Sequence, residues 1–236
     1  MPTGDISTAA SVFSIIGTVS SQLLNLSALP SMIEIHKARS TLLYPAFPFI
    51  IGFAANLNNI AYCFLTKQYI VLISAGLSLS FNLSYLTVHL VHSKDRGAIF
   101  RLLGFVVMTL AIASGIGPLF ACLLGDSDSC EPFAVTWLGV VNVVVFCVVY
   151  CGQLWTLRDV IRTKNSASIS PWLTAGVTFC AVMWTTYSCL APDYFFLASS
   201  IVGISSSLFQ IYLLIRYPRI MPNTDNPELV QITPGK

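Results

Sequence analysis

Charge is what this chain has least of. Only 9% of its 236 residues are Asp, Glu, Lys or Arg, against 55% hydrophobic residues, and the mean hydropathy is +0.76. So few charges cannot coat a water-facing globule of this size, which excludes an ordinary soluble domain. The scarcity is also uneven. No charged residue occurs in the windows 6–33, 40–66, 68–93, 102–125, 132–157, 165–192 and 194–215. A helix needs roughly 20 apolar residues to cross the bilayer core, and the shortest window holds 22. Seven transmembrane helices follow.

Other absences narrow the function. The chain shows no nucleophile paired with a base, no metal-ligand spacing and no phosphate-binding glycine loop, so it is read as no enzyme, with no metal and no cofactor. The windows hold no carboxylate for proton coupling, which favours passive facilitation. A net charge of only +2 gives no reason to expect a nucleic-acid partner. The first apolar segment is preceded by Asp5 rather than by basic residues and is too long for a signal-peptide core, so it stays as a helix. Cys63, Cys147, Cys151, Cys180 and Cys189 fall inside windows and read as small apolar residues. Cys122 and Cys130 flank the loop 125–129, where a disulfide and two free thiols both stay open.

The charges that do occur are sorted. Lys37, Arg39, Lys94, Arg96, Arg101, Arg158, Arg162, Lys164, Arg216, Arg219 and Lys236 follow the odd-numbered windows, and Lys67 alone lies on the other side. Short loops rich in Lys and Arg stay cytoplasmic. The N-terminus is therefore expected outside and the C-terminus in the cytosol, with the tail 218–236 disordered there. His89 and His92, near the cytoplasmic end of the third helix, read as interfacial.

Sliding the chain on itself by 125 residues lays 56–87 over 181–212. Tyr62 then meets Tyr187, Tyr69 meets Tyr194, Ser80 meets Ser205 and Leu83 meets Leu208. Upstream, His36–Ser40 answers Arg162–Ser166 with one residue inserted, and a proline follows each, Pro48 and Pro171. A three-helix unit ends on the face opposite its start, so a second copy keeps the same orientation only if one helix intervenes. The expected fold is all-α, with two parallel three-helix repeats joined by a linker helix in a 3+1+3 layout. The first repeat takes 6–93, the linker helix 98–125 and the second repeat 132–217.

Polar side chains inside spans are costly unless they face a partner or a water-filled path. Asn56, Asn58, Asn59, Asn82 and Asn142 are the candidates, either as solute contacts or as interhelical hydrogen bonds. The offset of 125 sets Asn59 in the place of Trp184; an amide and an indole together suit a hydroxyl-rich solute with an apolar side. Pro30, Pro48 and Pro171 are candidate hinges, because proline inside a helix removes a backbone bond and kinks it.

Trp184-Thr-Thr-Tyr187, followed by Asp193, Gly203, Gln210 and Tyr212, together with Val160-Ile-Arg-Thr-Lys164, resembles the SWEET (MtN3/saliva) family of sugar facilitators within the PQ-loop group. The resemblance covers 8–92 and 134–217. It implies a uniporter of small neutral solutes, mono- or disaccharides, working by alternating access in a lipid bilayer. The plasma membrane is the expected location, with the Golgi or another endomembrane as the alternative. Gly- and Ser-rich helix faces permit a homo-oligomer. The family places a sugar-facing asparagine on the third helix of each repeat, at positions that are Ala75 and Ser200 here. It also carries four prolines at the cytoplasmic ends of the first two helices of each repeat. Pro48 and Pro171 match, Pro30 matches with a two-residue shift, and Gln153 takes the fourth place. The expected substrate site is therefore Asn59, Trp184, Ser200, Ala75 and Asn56, with Pro30, Pro48, Gln153 and Pro171 as the gating set. Two other readings are a proton-coupled exporter of amino acids or metabolites from an acidic organelle, and a seven-helix cargo or signalling receptor.

Overall fold

A computed structural model describes residues 3–41, 46–124, 127–166, 169 and 171–218, leaving out the side chains of 3–7, 120–124, 127–131, 151–156, 159 and 163. Eight helices form: α1 (Thr3–Leu26), α2 (Leu29–Ala38), α3 (Phe47–Leu65), α4 (Tyr69–His92), α5 (Arg96–Leu124), α6 (Ser127–Thr163), α7 (Pro171–Leu190) and α8 (Tyr194–Arg216). There is no strand among the described residues. Seven spans are long and apolar enough to cross a membrane, the first built from α1 and α2 together.

The break in that first span sits at Ser27 and Ala28, just before Pro30 in the opening turn of α2. Proline has no N–H to donate to the carbonyl four residues back, so the α1 ladder ends and a new helix begins. α2 then carries Glu34 and Lys37, beyond the expected end of the span at 33. The other two candidate hinge prolines are not interior kinks. Pro48 lies in the first turn of α3 and Pro171 opens α7, positions where the missing N–H would be unpaired anyway. The prolines inside helices are Pro118 in α5 and Pro132 in α6. α6 is also longer than its window. Its 37 residues extend about 55 Å, well past a core of about 30 Å. Gln153 belongs to α6, and its side chain lies outside the described residues, as do those of Cys122 and Cys130 and all of 219–236.

The two halves pack alike. α4 rests on both α1 and α3, and α8 rests on both α6 and α7. Between halves, α1 packs on α7 and α3 packs on α6. Exchanging the repeats turns one of these contacts into the other, as a two-fold axis along the membrane normal requires. The helix ends keep the same register. Arg39 after α2 and Lys164 after α6 are both left-handed, with φ of 51° and 52°, and 164 − 39 is 125. No inserted residue is needed at this point, contrary to the expectation from the sequence.

α5 stands outside the pair, against α6 and α3. Trp137 of α6 donates from Nε1 to the Ala113 carbonyl at 2.7 Å, and its ring lies where a Cβ on Gly117 would be 2.4 Å away. Only glycine admits that contact. Ser114 ties the other side by donating to Asn58 Oδ1 at 2.7 Å. His89 departs from expectation: it is 1% exposed, with its ring 5.4 Å from that of Phe49. The first turns of α3 cover this end of α4, so the residue never reaches the interface. His92 does approach the helix ends, edge-on to His36 with ring centres 5.1 Å apart.

Candidate functional site

A cavity of about 510 Å³ lies between the halves. Asn56, Asn59, Ala75, Trp184 and Ser200 all line it. α3 supplies the first two, α4 the third, α7 the fourth and α8 the last, so five residues spread over 145 positions converge because the repeats close on each other. Asn82 lines the same space, whereas Asn58 and Asn142 do not.

The hydrogen bonds explain this division. Asn58 Nδ2 donates to Asn142 Oδ1 at 3.1 Å, and Asn142 Nδ2 donates to Asn59 Oδ1 at 3.3 Å. With the Ser114 contact, this chain of amides joins α5, α3 and α6. Asn142 is fully buried. Interhelical bonds of this kind contribute about 0.6–2 kcal/mol each in a bilayer, so Asn58 and Asn142 hold helices together while Asn59 sits at the boundary between that chain and the cavity.

Trp184 is fixed by α1. Its Nε1 donates to Ser21 Oγ at 2.9 Å, and its ring packs over Gly17, where a Cβ would lie 3.0 Å from Cε2. The rings of Phe196 and Tyr187 stand edge-on to it at 5.3 and 5.8 Å. Ser200 donates to the Phe196 carbonyl at 2.9 Å within α8. Small residues on that buried face, Gly203, Ser206 and Ser207, let α8 approach its neighbours closely.

Beyond the aromatic layer lies a second polar cluster that sequence reasoning missed. Tyr62 donates to the two carboxylate oxygens of Asp193, at 2.9 Å each, and Gln68 Nε2 donates to Asp193 Oδ2 at 2.6 Å. The Phe196 N–H donates to Asp193 Oδ1 at 3.0 Å, capping α8. Tyr187 donates to Gln68 Oε1 at 3.2 Å. Asp193 is only 7% exposed; a buried carboxylate is tolerable because its oxygens accept from all these donors. In the sequence Asp193 reads as the boundary between two uncharged windows. The signal that marks it is the offset: 193 − 68 is 125, like 187 − 62.

The cluster stands between two spaces. Gln68 and Tyr187 also line a smaller cavity of about 380 Å³ on the far side, together with Ser11, Ser14 and Lys67. The large cavity instead reaches Pro48, which is exposed at the face where the basic residues gather. Among the described residues, none of those lining the large cavity is charged.

The comparisons with known proteins agree with this geometry. The family described as "Sugar efflux transporter for intercellular exchange" matches twice, over residues 11–97 and 136–221, copies whose starts are 125 apart. The chain is 25% identical over 210 residues to the bidirectional sugar transporter SWEET12 of Oryza sativa subsp. japonica, covering 89% of this chain and 69% of that one. It is 26% identical to the bidirectional sugar transporter NEC1 of Petunia hybrida, covering 87% and 76%. A solved eukaryotic SWEET transporter shares the fold with a TM-score of 0.77 and 20% identity, over 89% of this chain and 97% of that one. These are transporters rather than enzymes. The chain is a member of the MtN3/saliva, or SWEET, family.

Proposed function

We propose that this protein carries small neutral sugars, mono- or disaccharides, across a membrane in either direction by alternating access. The observation that carries the reading is the cavity between the repeats, lined by amides, hydroxyls and an indole and by no charged residue among those described. The Tyr62–Asp193–Gln68–Tyr187 cluster lies behind its Trp184 and Phe196 wall and closes the path in this reading. Amides pair with hydroxyls without demanding charge, and an aromatic face covers the apolar side of a sugar ring. Asn56, Asn59, Ala75, Trp184 and Ser200 are the solute contacts in this reading. Breaking the cluster opens the path to the second cavity, while the break near Pro30 and the helix starts at Pro48 and Pro171 let the halves rock.

The basic face is cytosolic in this reading, which puts the N-terminus outside at the plasma membrane. Copies of the chain assemble through α5, where Gly104 and Gly115 have open space above them. Family membership and the names of the relatives support sugar as cargo. Uptake of radiolabelled hexoses and disaccharides into transport-deficient cells tests the proposal. Absence of uptake for all of them, with the protein at the cell surface, overturns it.

One observation favours a second reading. Asp193 is a buried carboxylate bonded to Gln68, which lines the smaller cavity, and such groups can relay protons. A proton-coupled exporter would show uptake driven by a pH gradient, and a facilitator would not.

A further inference from the structure

The cavity walls come from equivalent positions of the two repeats, yet the two walls differ in kind. Ser21, Asn25, Asn56 and Asn59 on the first-repeat side correspond, 125 residues on, to Phe146, Tyr150, Ala181 and Trp184 on the second, and all eight line the cavity. Gly52 and Val71 likewise correspond to Val177 and Phe196. At the first four pairs a hydroxyl or amide on one wall is thus aromatic or aliphatic on the other, whereas Ser74 answers Ser199 and Ala75 answers Ser200.

The contacts behind the walls follow the same division. Asn25 Nδ2 donates to Ser78 Oγ at 2.9 Å. At the equivalent pair, the Tyr150 hydroxyl lies 2.7 Å from the Cβ position of Gly203, so a hydrogen bond in one half is a ring packed on bare backbone in the other. Trp184 has spent its single donor on Ser21, and Ser199 and Ser200 donate to their own helix at the carbonyls of Phe195 and Phe196. On the first-repeat wall the Nδ2 groups of Asn25, Asn56 and Asn82 donate to Ser78 Oγ, the Gly52 carbonyl and the Ser78 carbonyl. The Oδ1 atoms of Asn25 and Asn56 accept from no described residue and remain for hydroxyl donors of a solute, while that of Asn82 packs over Gly52.

Resting on the reading of the chain as a sugar transporter, we infer that the solute is held in one orientation, hydroxyls on the first repeat and an apolar side on the second, and that the preferred ligands are neutral glycosides carrying a compact apolar substituent. A free hexose presents hydroxyls all round, and those turned to Phe146, Val177 and Ala181 lose their water without gaining partners. A phenyl or short alkyl group in that place meets Phe146, Tyr150 and Val177 instead.

The test is equilibrium binding to the full-length protein in nanodiscs, with glucose and phenyl β-glucoside as the two probes. The expected result is about tenfold tighter binding of the phenyl glucoside, the effect of sparing one hydroxyl from burial without a partner. Phe146→Ser and Tyr150→Asn, which copy the first-repeat residues, bring the ratio toward one. Asn56→Ala weakens both probes together. Equal affinities in the unaltered protein, or no binding of either probe, overturn the inference, as does a ratio unmoved by both wall substitutions. Uptake, measured separately, bears on transport alone: binding preference without flux leaves the orientation standing and removes the transport reading.

Discussion

Tyr62 and Tyr187 stand 125 residues apart, and each donates to the residue that the other half carries at one shared position: Tyr62 to Asp193 and Tyr187 to Gln68. Gln68 and Asp193 are then bonded to each other at 2.6 Å. The two-fold relation of the repeats thus places one pair of equivalent residues in direct contact on its axis, where any rocking of the halves must part them. Because one member is Asp and the other Gln, the contact is a charge-assisted hydrogen bond rather than a clash of like groups.

Removing the carboxylate leaves the Tyr62 hydroxyl, the Gln68 amide and the Phe196 N–H without their acceptor. An unsatisfied buried group costs about 1–3 kcal/mol, and 1.4 kcal/mol is a factor of ten. Asp193→Ala is expected to lower radiolabelled-glucose uptake by about tenfold or more at unchanged surface expression. Asp193→Asn, which keeps an acceptor for Tyr62, should retain more activity than Asp193→Ala. Equal uptake by all three proteins would show that the cluster does not control the path.

Gly17 admits the indole of Trp184, with 3.0 Å between a would-be Cβ and the ring. A larger side chain must push the ring toward the cavity. Gly17→Val is expected to cut sugar uptake as strongly as Trp184→Ala, although Gly17 does not itself line the cavity. Uptake kinetics in cells expressing each variant check this, and normal kinetics for Gly17→Val would contradict it.

Asn142 carries two of the bonds that join α3 to α6. Replacing it with alanine removes both, for a loss of about 1–2 kcal/mol. The melting temperature in detergent should fall by about 2–8 °C. Asn56→Ala, whose amide bonds only within its own helix, should melt close to the unaltered protein. The two together separate residues that bind helices from residues that face the cavity.

The linker helix makes its own test. Because the Trp137 ring occupies the space over Gly117, Gly117→Val should force α5 away from α6, lowering thermal stability while leaving the residues around the cavity in place. A drop in melting temperature larger than that of Gly115→Val, where the space is open, is the expected pattern.

Much of the fold is legible in the sequence. Seven spans follow from where charge is missing, and the 3+1+3 layout follows from an offset that the packing of α1 on α7 and of α3 on α6 repeats. Of the residues brought to one cavity, Asn59 and Trp184 are legible from the same offset, Ala75 and Ser200 from the family resemblance, and Asn56 from being an amide within a span. What escaped depends on tertiary neighbours. The break at Ser27 and Ala28 escaped because a proline in a spanning helix can either kink it or end it, and the local sequence does not distinguish the two. Asp193 escaped because charge served as the marker of a loop, and only the approach of α3 to the α7–α8 turn shows that this loop residue is buried. His89 escaped for the same reason, since nothing local says that Phe49 covers it.

The central claim is that sugars cross only when the halves part at the contact of Tyr62 with Asp193. Cysteines at these two positions, Tyr62→Cys with Asp193→Cys, are too far apart for a direct disulfide, because the contact is made by the tip of the tyrosine. A bifunctional methanethiosulfonate reagent spanning the lost side chains bridges them, and the uptake that remains in the double variant is measured before cross-linking, after it and after reduction, with each single variant as control. The account predicts that cross-linking stops the remaining uptake in the double variant alone and that reduction restores it. A cross-link formed in full, with that uptake undiminished, would contradict it.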